Sequence, residues 1–119
     1  MDLSLTMLPG RDCTVVQVAG VLDLGTLPEL RTCLKQAMDG GEARIVLDLA
    51  GVRLIDSSAL GVLVSASQQL RQRSGVLCLA CVQPLVRRVL ELTSVDRLID
   101  VHDTVAAAQE SLAAGGEAR

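Results

Sequence analysis

Apolar and polar positions alternate at the start of the chain, in Leu3-Ser4-Leu5-Thr6-Met7, and β-branched residues crowd Cys13-Thr14-Val15-Val16-Gln17-Val18-Ala19. With Pro9-Gly10 between them, the two runs predict a β-hairpin. The period then changes. Leu27, Leu30, Leu34 and Met38 recur at helical spacing behind Thr26, a residue type that caps helix starts, with Glu29 three positions on. Gly40-Gly41 closes this helix.

Arg44-Ile45-Val46-Leu47-Asp48-Leu49 is a short, almost continuous apolar run, the pattern of a strand buried on both faces of a parallel sheet. From Ser58 to Arg73, Leu60, Leu63, Ser67 and Leu70 form one helical stripe that Gly75 ends. Val76 to Val82 reads as another buried strand. Pro84 opens a third helix with Leu85, Val89 and Leu92 directed inward, Leu98 to Val101 is a final short strand, and Thr104 caps a helix over Val105 to Ala113. The order β-β-α-β-α-β-α-β-α predicts an α/β domain, a mixed sheet covered mainly on one side by about four helices. Residues 1–113 form this one domain, and 114–119 offer nothing to bury and are expected to be a flexible tail.

Half the residues are hydrophobic and none is aromatic, so aliphatic side chains must fill the core. The same absence removes stacking platforms for bases, and a net charge of -3 gives no attraction to phosphate backbones. No direct nucleic-acid partner is therefore expected. The N-terminal stretch has no leader pattern and no segment carries the ~18 uninterrupted apolar residues of a membrane span. A cytoplasmic location is expected.

Cys13, Cys33, Cys78 and Cys81 sit in apolar-patterned segments, where cysteine behaves as a small hydrophobe. Cys78 and Cys81 spell C-x-x-C, but within a strand residues three apart face opposite ways. No metal and no cofactor is expected, and the domain should fold without either. His102, the only histidine, stands beside Asp103 ahead of the last helix, where surface or capping roles are usual. With no G-x-S-x-G elbow, no glycine-rich phosphate loop and no histidine pair, the sequence does not read as an enzyme.

One stretch carries the candidate chemistry: Leu54-Ile55-Asp56-Ser57-Ser58-Ala59-Leu60-Gly61, where a buried strand passes into a helix through three small polar residues. All three types favour helix starts. The first N–H groups of a helix lack intrahelical acceptors and carry the positive end of its dipole, so a phosphate is tolerated there. A phosphate on Ser57 would add about -1.5 to -2 charges at neutral pH and disturb a packed interface. The plain alternative is an N-cap cluster and nothing more.

This run resembles the phosphorylation motif of STAS-domain anti-sigma factor antagonists, in which the serine directly after an aspartate is the acceptor. Gly20-Val21-Leu22-Asp23 leading to Thr26, the strand Ile45-Val46-Leu47-Asp48-Leu49 and the helix Pro84-Leu85-Val86-Arg87-Arg88-Val89-Leu90 are also similar to that family, so the resemblance spans about Leu3 to Leu112. Ala59 departs from it, since many relatives carry glycine there; alanine is the better helix former and leaves the acceptor hydroxyl in place.

The resemblance implies partner switching. The unmodified chain would bind an anti-sigma factor that is also a serine kinase, releasing the sigma factor. Phosphorylation of Ser57 would end that binding, and a PP2C-like phosphatase would restore it. Asp23, Asp56, Ser57 and Ser58 are the expected partner-binding residues. The competing reading is a STAS domain that is never phosphorylated and serves as an interaction subunit of a transporter or stress-signalling assembly.

Overall fold

The computed structural model describes residues 3–113; the tail expected at 114–119 lies outside the described residues. Five strands run β1 (Leu3–Pro9), β2 (Thr14–Leu22), β3 (Arg44–Ile55), β4 (Val76–Ala80) and β5 (Asp100–His102), and they lie in that order across one sheet. The hairpin β1–β2 is antiparallel, and β2, β3, β4 and β5 are parallel. The helices are α1 (Leu27–Asp39), α2 (Ser57–Gln72), α3 (Pro84–Leu92) and α4 (Val105–Ala113), with a 3₁₀ turn at Val95–Arg97.

Strand periodicity sorts the core. Val16, Leu47 and Leu79 face one side with the buried stripes of α1, α2 and α3, and their chain neighbours Val15, Val46 and Cys78 face the other with Ala108 and Leu112 of α4. The sheet is thus covered by three helices on one face and one on the other. The stripes foreseen for α1 and α2 are buried, including Leu30, Leu34, Leu63, Ser67 and Leu70.

Several details depart from the sequence reading. β4 ends at Ala80 rather than Val82. β3 runs six residues past Leu49, because Ala19 pairs with Gly51 and Gly20 with Val52 through register shifts that keep the ladder with β2 intact. Gly51 permits this approach: a Cβ there would lie 2.6 Å from the Ala19 Cβ. In α3 the inward residues are Val86 and Leu90, with Val89 partly buried, whereas Leu85 is 55% and Leu92 72% exposed. Leu85-Val86 and Val89-Leu90 are adjacent apolar pairs, so two helical phases fit the sequence equally; packing beside Val95 and Ile99 selects the second. The last strand starts at Asp100 rather than Leu98, since Ile99 plugs the core from the preceding turn and leaves Leu98 exposed.

Helix ends are also sharper than expected. α2 stops in a Schellman arrangement, with Gly75 N–H donating to the Leu70 carbonyl and Ser74 N–H to that of Arg71. The left-handed residue is Ser74, at φ 60, not Gly75. Thr104 caps α4 as foreseen, its Oγ1 accepting from Ala107 N–H at 2.9 Å.

Candidate functional site

β2 and β3 end side by side, Leu22 opposite Ile55, and the pairing continues one step as Asp56 N–H donates to the Leu22 carbonyl at 3.0 Å. This joint brings the β2–α1 loop and the start of α2 to one corner of the molecule. Asp56 is the N-cap of α2, with extended backbone at φ -104 and ψ 175. One carboxylate oxygen accepts from Ala59 N–H at 2.9 Å and from the Ser58 hydroxyl at 2.6 Å. The other accepts from Leu24 N–H at 3.2 Å, across to the neighbouring loop. The Ser58 hydroxyl, followed by the Ala59 N–H, holds the carboxyl below its ordinary value, because each donor favours the charged form.

The two serines therefore differ. Ser58 is half-buried, and its hydroxyl is spent on the Asp56 carboxylate. Ser57, the first residue inside the helix, is exposed. The helix cap is Asp56 alone among the three polar residues expected to favour this start.

Asp23 turns inward to its own loop: Oδ1 accepts from Gly25 N–H at 3.0 Å and from Thr26 N–H at 3.2 Å. Thr26 occupies the N-cap place of α1, but its side chain caps nothing in the helix. Its hydroxyl donates to the Val21 carbonyl at 2.8 Å and accepts from Asp23 N–H at 3.1 Å, which explains why this threonine is buried. Asp23 and Thr26 thus shape the loop, and Asp56 ties that loop to the helix. Asp23, Asp56, Ser57 and Ser58 share this corner, where the Asp56 carboxylate already accepts from Leu24 N–H, Ala59 N–H and the Ser58 hydroxyl.

Two apolar side chains of this corner escaped the sequence reading. Leu24 is 73% and Leu54 50% exposed, one following Asp23 and the other two residues before Asp56. Leu54 looked like strand core; the signal that could have found it is that Ile55, its neighbour, takes the inward side of an alternating strand. Leu24 belongs to no periodic run, which is itself the sign of an apolar residue with no internal partner.

Comparison with known proteins agrees with this geometry. The family model described as the STAS domain matches residues 8–108. An anti-sigma F factor antagonist of Paenibacillus polymyxa is 28% identical over 104 residues, 87% of this chain and 89% of that protein. An anti-sigma-B factor antagonist of Staphylococcus aureus is 32% identical over 88 residues, covering 74% of this chain and 82% of its own. Among solved structures, an anti-sigma factor antagonist of Mycobacterium paratuberculosis superposes with a TM-score of 0.85 at 23% identity, over 92% of this chain and 93% of the other. The antagonist SpoIIAA, solved unphosphorylated and phosphorylated, gives TM-scores of 0.78 and 0.69 at 19% identity, over 93% and 92% of this chain and 97% and 99% of the two SpoIIAA chains. With the family model matching residues 8–108 and these relatives alike in sequence and fold, the chain belongs to the STAS domain family, among the anti-sigma factor antagonists.

Proposed function

We propose that this chain is a cytoplasmic, non-catalytic switch that binds an anti-sigma factor with serine kinase activity and so frees a sigma factor, and that phosphorylation of Ser57 ends the binding. The observation that carries this reading is the division of labour between adjacent serines: Ser58 is engaged by Asp56, and Ser57 is left exposed at the helix start. The exposed Leu24 and Leu54 of the same corner supply apolar area for a partner to cover. A phosphoserine at Ser57 would sit where the helix dipole favours an anion, so the fold would tolerate it. A docked partner would instead meet new charge in a desolvated interface, beside the Asp56 carboxylate. A PP2C-like phosphatase completes the cycle. Two known structures of SpoIIAA, with and without phosphate, support the idea that this fold carries the modification.

The test is calorimetric titration with the anti-sigma factor encoded nearest this gene, together with fragment-ion mass spectrometry after incubation with that protein and ATP. Expected are a phosphate on Ser57 alone, undiminished partner affinity for Ser57→Ala, and at least ~10-fold weaker binding for Ser57→Asp, about the 1.4 kcal/mol of one desolvated like-charge contact. Phosphate on Ser58 alone would overturn the assignment to Ser57, and no phosphate together with equal affinities for the two variants would overturn the switch and favour an unphosphorylated interaction subunit.

A further inference from the structure

Away from this corner, at the β4–β5 edge, three donor side chains from two strands converge. Parallel pairing sets Cys78 opposite Asp100 and Ala80 opposite His102, and the period of two turns Asp100 and His102 to the same face, the one that α4 covers. One ligand atom of each, the thiol sulfur, a carboxylate oxygen and a ring nitrogen, lies within 4.8 Å of the other two. Cys78 is only 1% exposed. His102 is not the surface or capping residue that its sequence position suggested: it lies in β5, and its Nε2 is buried with no hydrogen-bond partner among the described residues.

A buried ring nitrogen with no partner is costly, and a cation is one way to satisfy it. Tetrahedral zinc with bonds of about 2.0–2.3 Å places its donors roughly 3.3–3.8 Å apart, so side-chain rotations closing about 1 Å would complete the geometry. Thiolate, imidazole and carboxylate together select a borderline-soft divalent ion over magnesium or calcium.

We propose that Cys78, Asp100 and His102 form a binding site for a divalent transition-metal ion, with zinc as the best-matched ion and a water completing its coordination. Asp100 is exposed at the sheet edge and gives the ion an entry side. The bound ion clamps β5, only three residues long, onto β4 beneath α4. Without metal, burial and then the Asp100 carboxylate push the Cys78 thiol up to about 11, so binding displaces a proton from the sulfur. Cys81 takes no part: it lies just beyond β4 at φ 61 and is absent from the cluster. The C-x-x-C spacing was thus no guide to metal, and the expectation of metal-free folding is compatible with a clamp at the rim of a core already complete.

Cobalt and zinc titrations of the full chain test the site. Co2+ should produce the near-ultraviolet band of a cobalt–thiolate bond, Zn2+ should abolish it, and calorimetry should find one Zn2+ per chain. Cys78→Ser should lose the band, and Cys81→Ser should keep it. His102→Ala and Asp100→Asn should each weaken Zn2+ binding at least ~10-fold. These two residues lie on the half-buried to exposed edge strand, so their variants decide the matter even where Cys78→Ser fails to fold. No thiolate band, a band that survives in folded Cys78→Ser, or unchanged zinc affinity in both edge variants would overturn the site.

Discussion

The two faces of the sheet are made of alternating residues from the same strands, yet they are different kinds of packing. Toward α1–α3, Leu47, Leu49, Leu63, Leu70 and Leu79 are fully buried among other branched aliphatics. Toward α4 the filling is thinner and chemically mixed, with Cys13, Cys78, Ala80 and Ala108 around Val46 and Leu112. The first face holds the fold by apolar area. The second leaves room for small, polarisable and ligating side chains, because less of the stability rests on it.

Truncation should expose that asymmetry most strongly. Leu47→Ala should cost about 2–5 kcal/mol by urea denaturation, as a full-size cavity opens among side chains that cannot collapse. Cys78→Ala on the opposite face should cost only ~1 kcal/mol in metal-free buffer, since little volume is removed. Equal losses would show that the α4 face is as much a part of the core as the other.

A smaller effect is expected at the corner where the β2–α1 loop meets the start of α2. Asp56→Ala removes the acceptor for Leu24 N–H, Ala59 N–H and the Ser58 hydroxyl, and should cost about 1–2 kcal/mol. Because the folded carboxyl lies below its ordinary value of 3.8, the unfolded state binds the proton more readily. The contribution is therefore complete above that value and disappears as pH falls through the lower folded value. Denaturation midpoints of wild type and Asp56→Asn should accordingly converge in acid, and a constant gap across that range would contradict the role of the charge.

The smallest effect belongs to Ser57→Ala. The cap is Asp56, and Ser57 is an exposed first-turn residue, so stability should change by less than about 0.5 kcal/mol in thermal melts. A larger loss would mean that Ser57 is part of the frame and not simply displayed by it.

Most of this architecture was legible because period two and period 3.6 are both strong signals in an aliphatic chain: the hairpin, α1, α2 and the helix cap at Thr104 followed from them. Where the reading failed, the sequence held two equivalent answers. Leu85-Val86 and Val89-Leu90 fit either phase of α3, and only the position of Val95 and Ile99 chooses. The extension of β3 depended on a close approach at Gly51 that no local pattern announces. At the site, Asp56-Ser57-Ser58 was readable as a helix start, but which hydroxyl is engaged was set by the rotation of Ser58 toward the carboxylate. The neighbours of Cys78 came from strand register, 22 residues along the chain at Asp100, beyond the reach of any short spacing rule.

The frame around Asp56 also constrains what can act on its neighbour. Ser57 is held as the first residue of α2 by a carboxylate bonded on both sides, so its hydroxyl comes with a fixed backbone direction and a fixed pair of leucines. A short segment excised from this helix would not keep that shape, since isolated helices of such length are marginal in water. In the proposed cycle an enzyme reaching Ser57 must accept a folded contour, and the substrate it distinguishes is a surface rather than a string of letters.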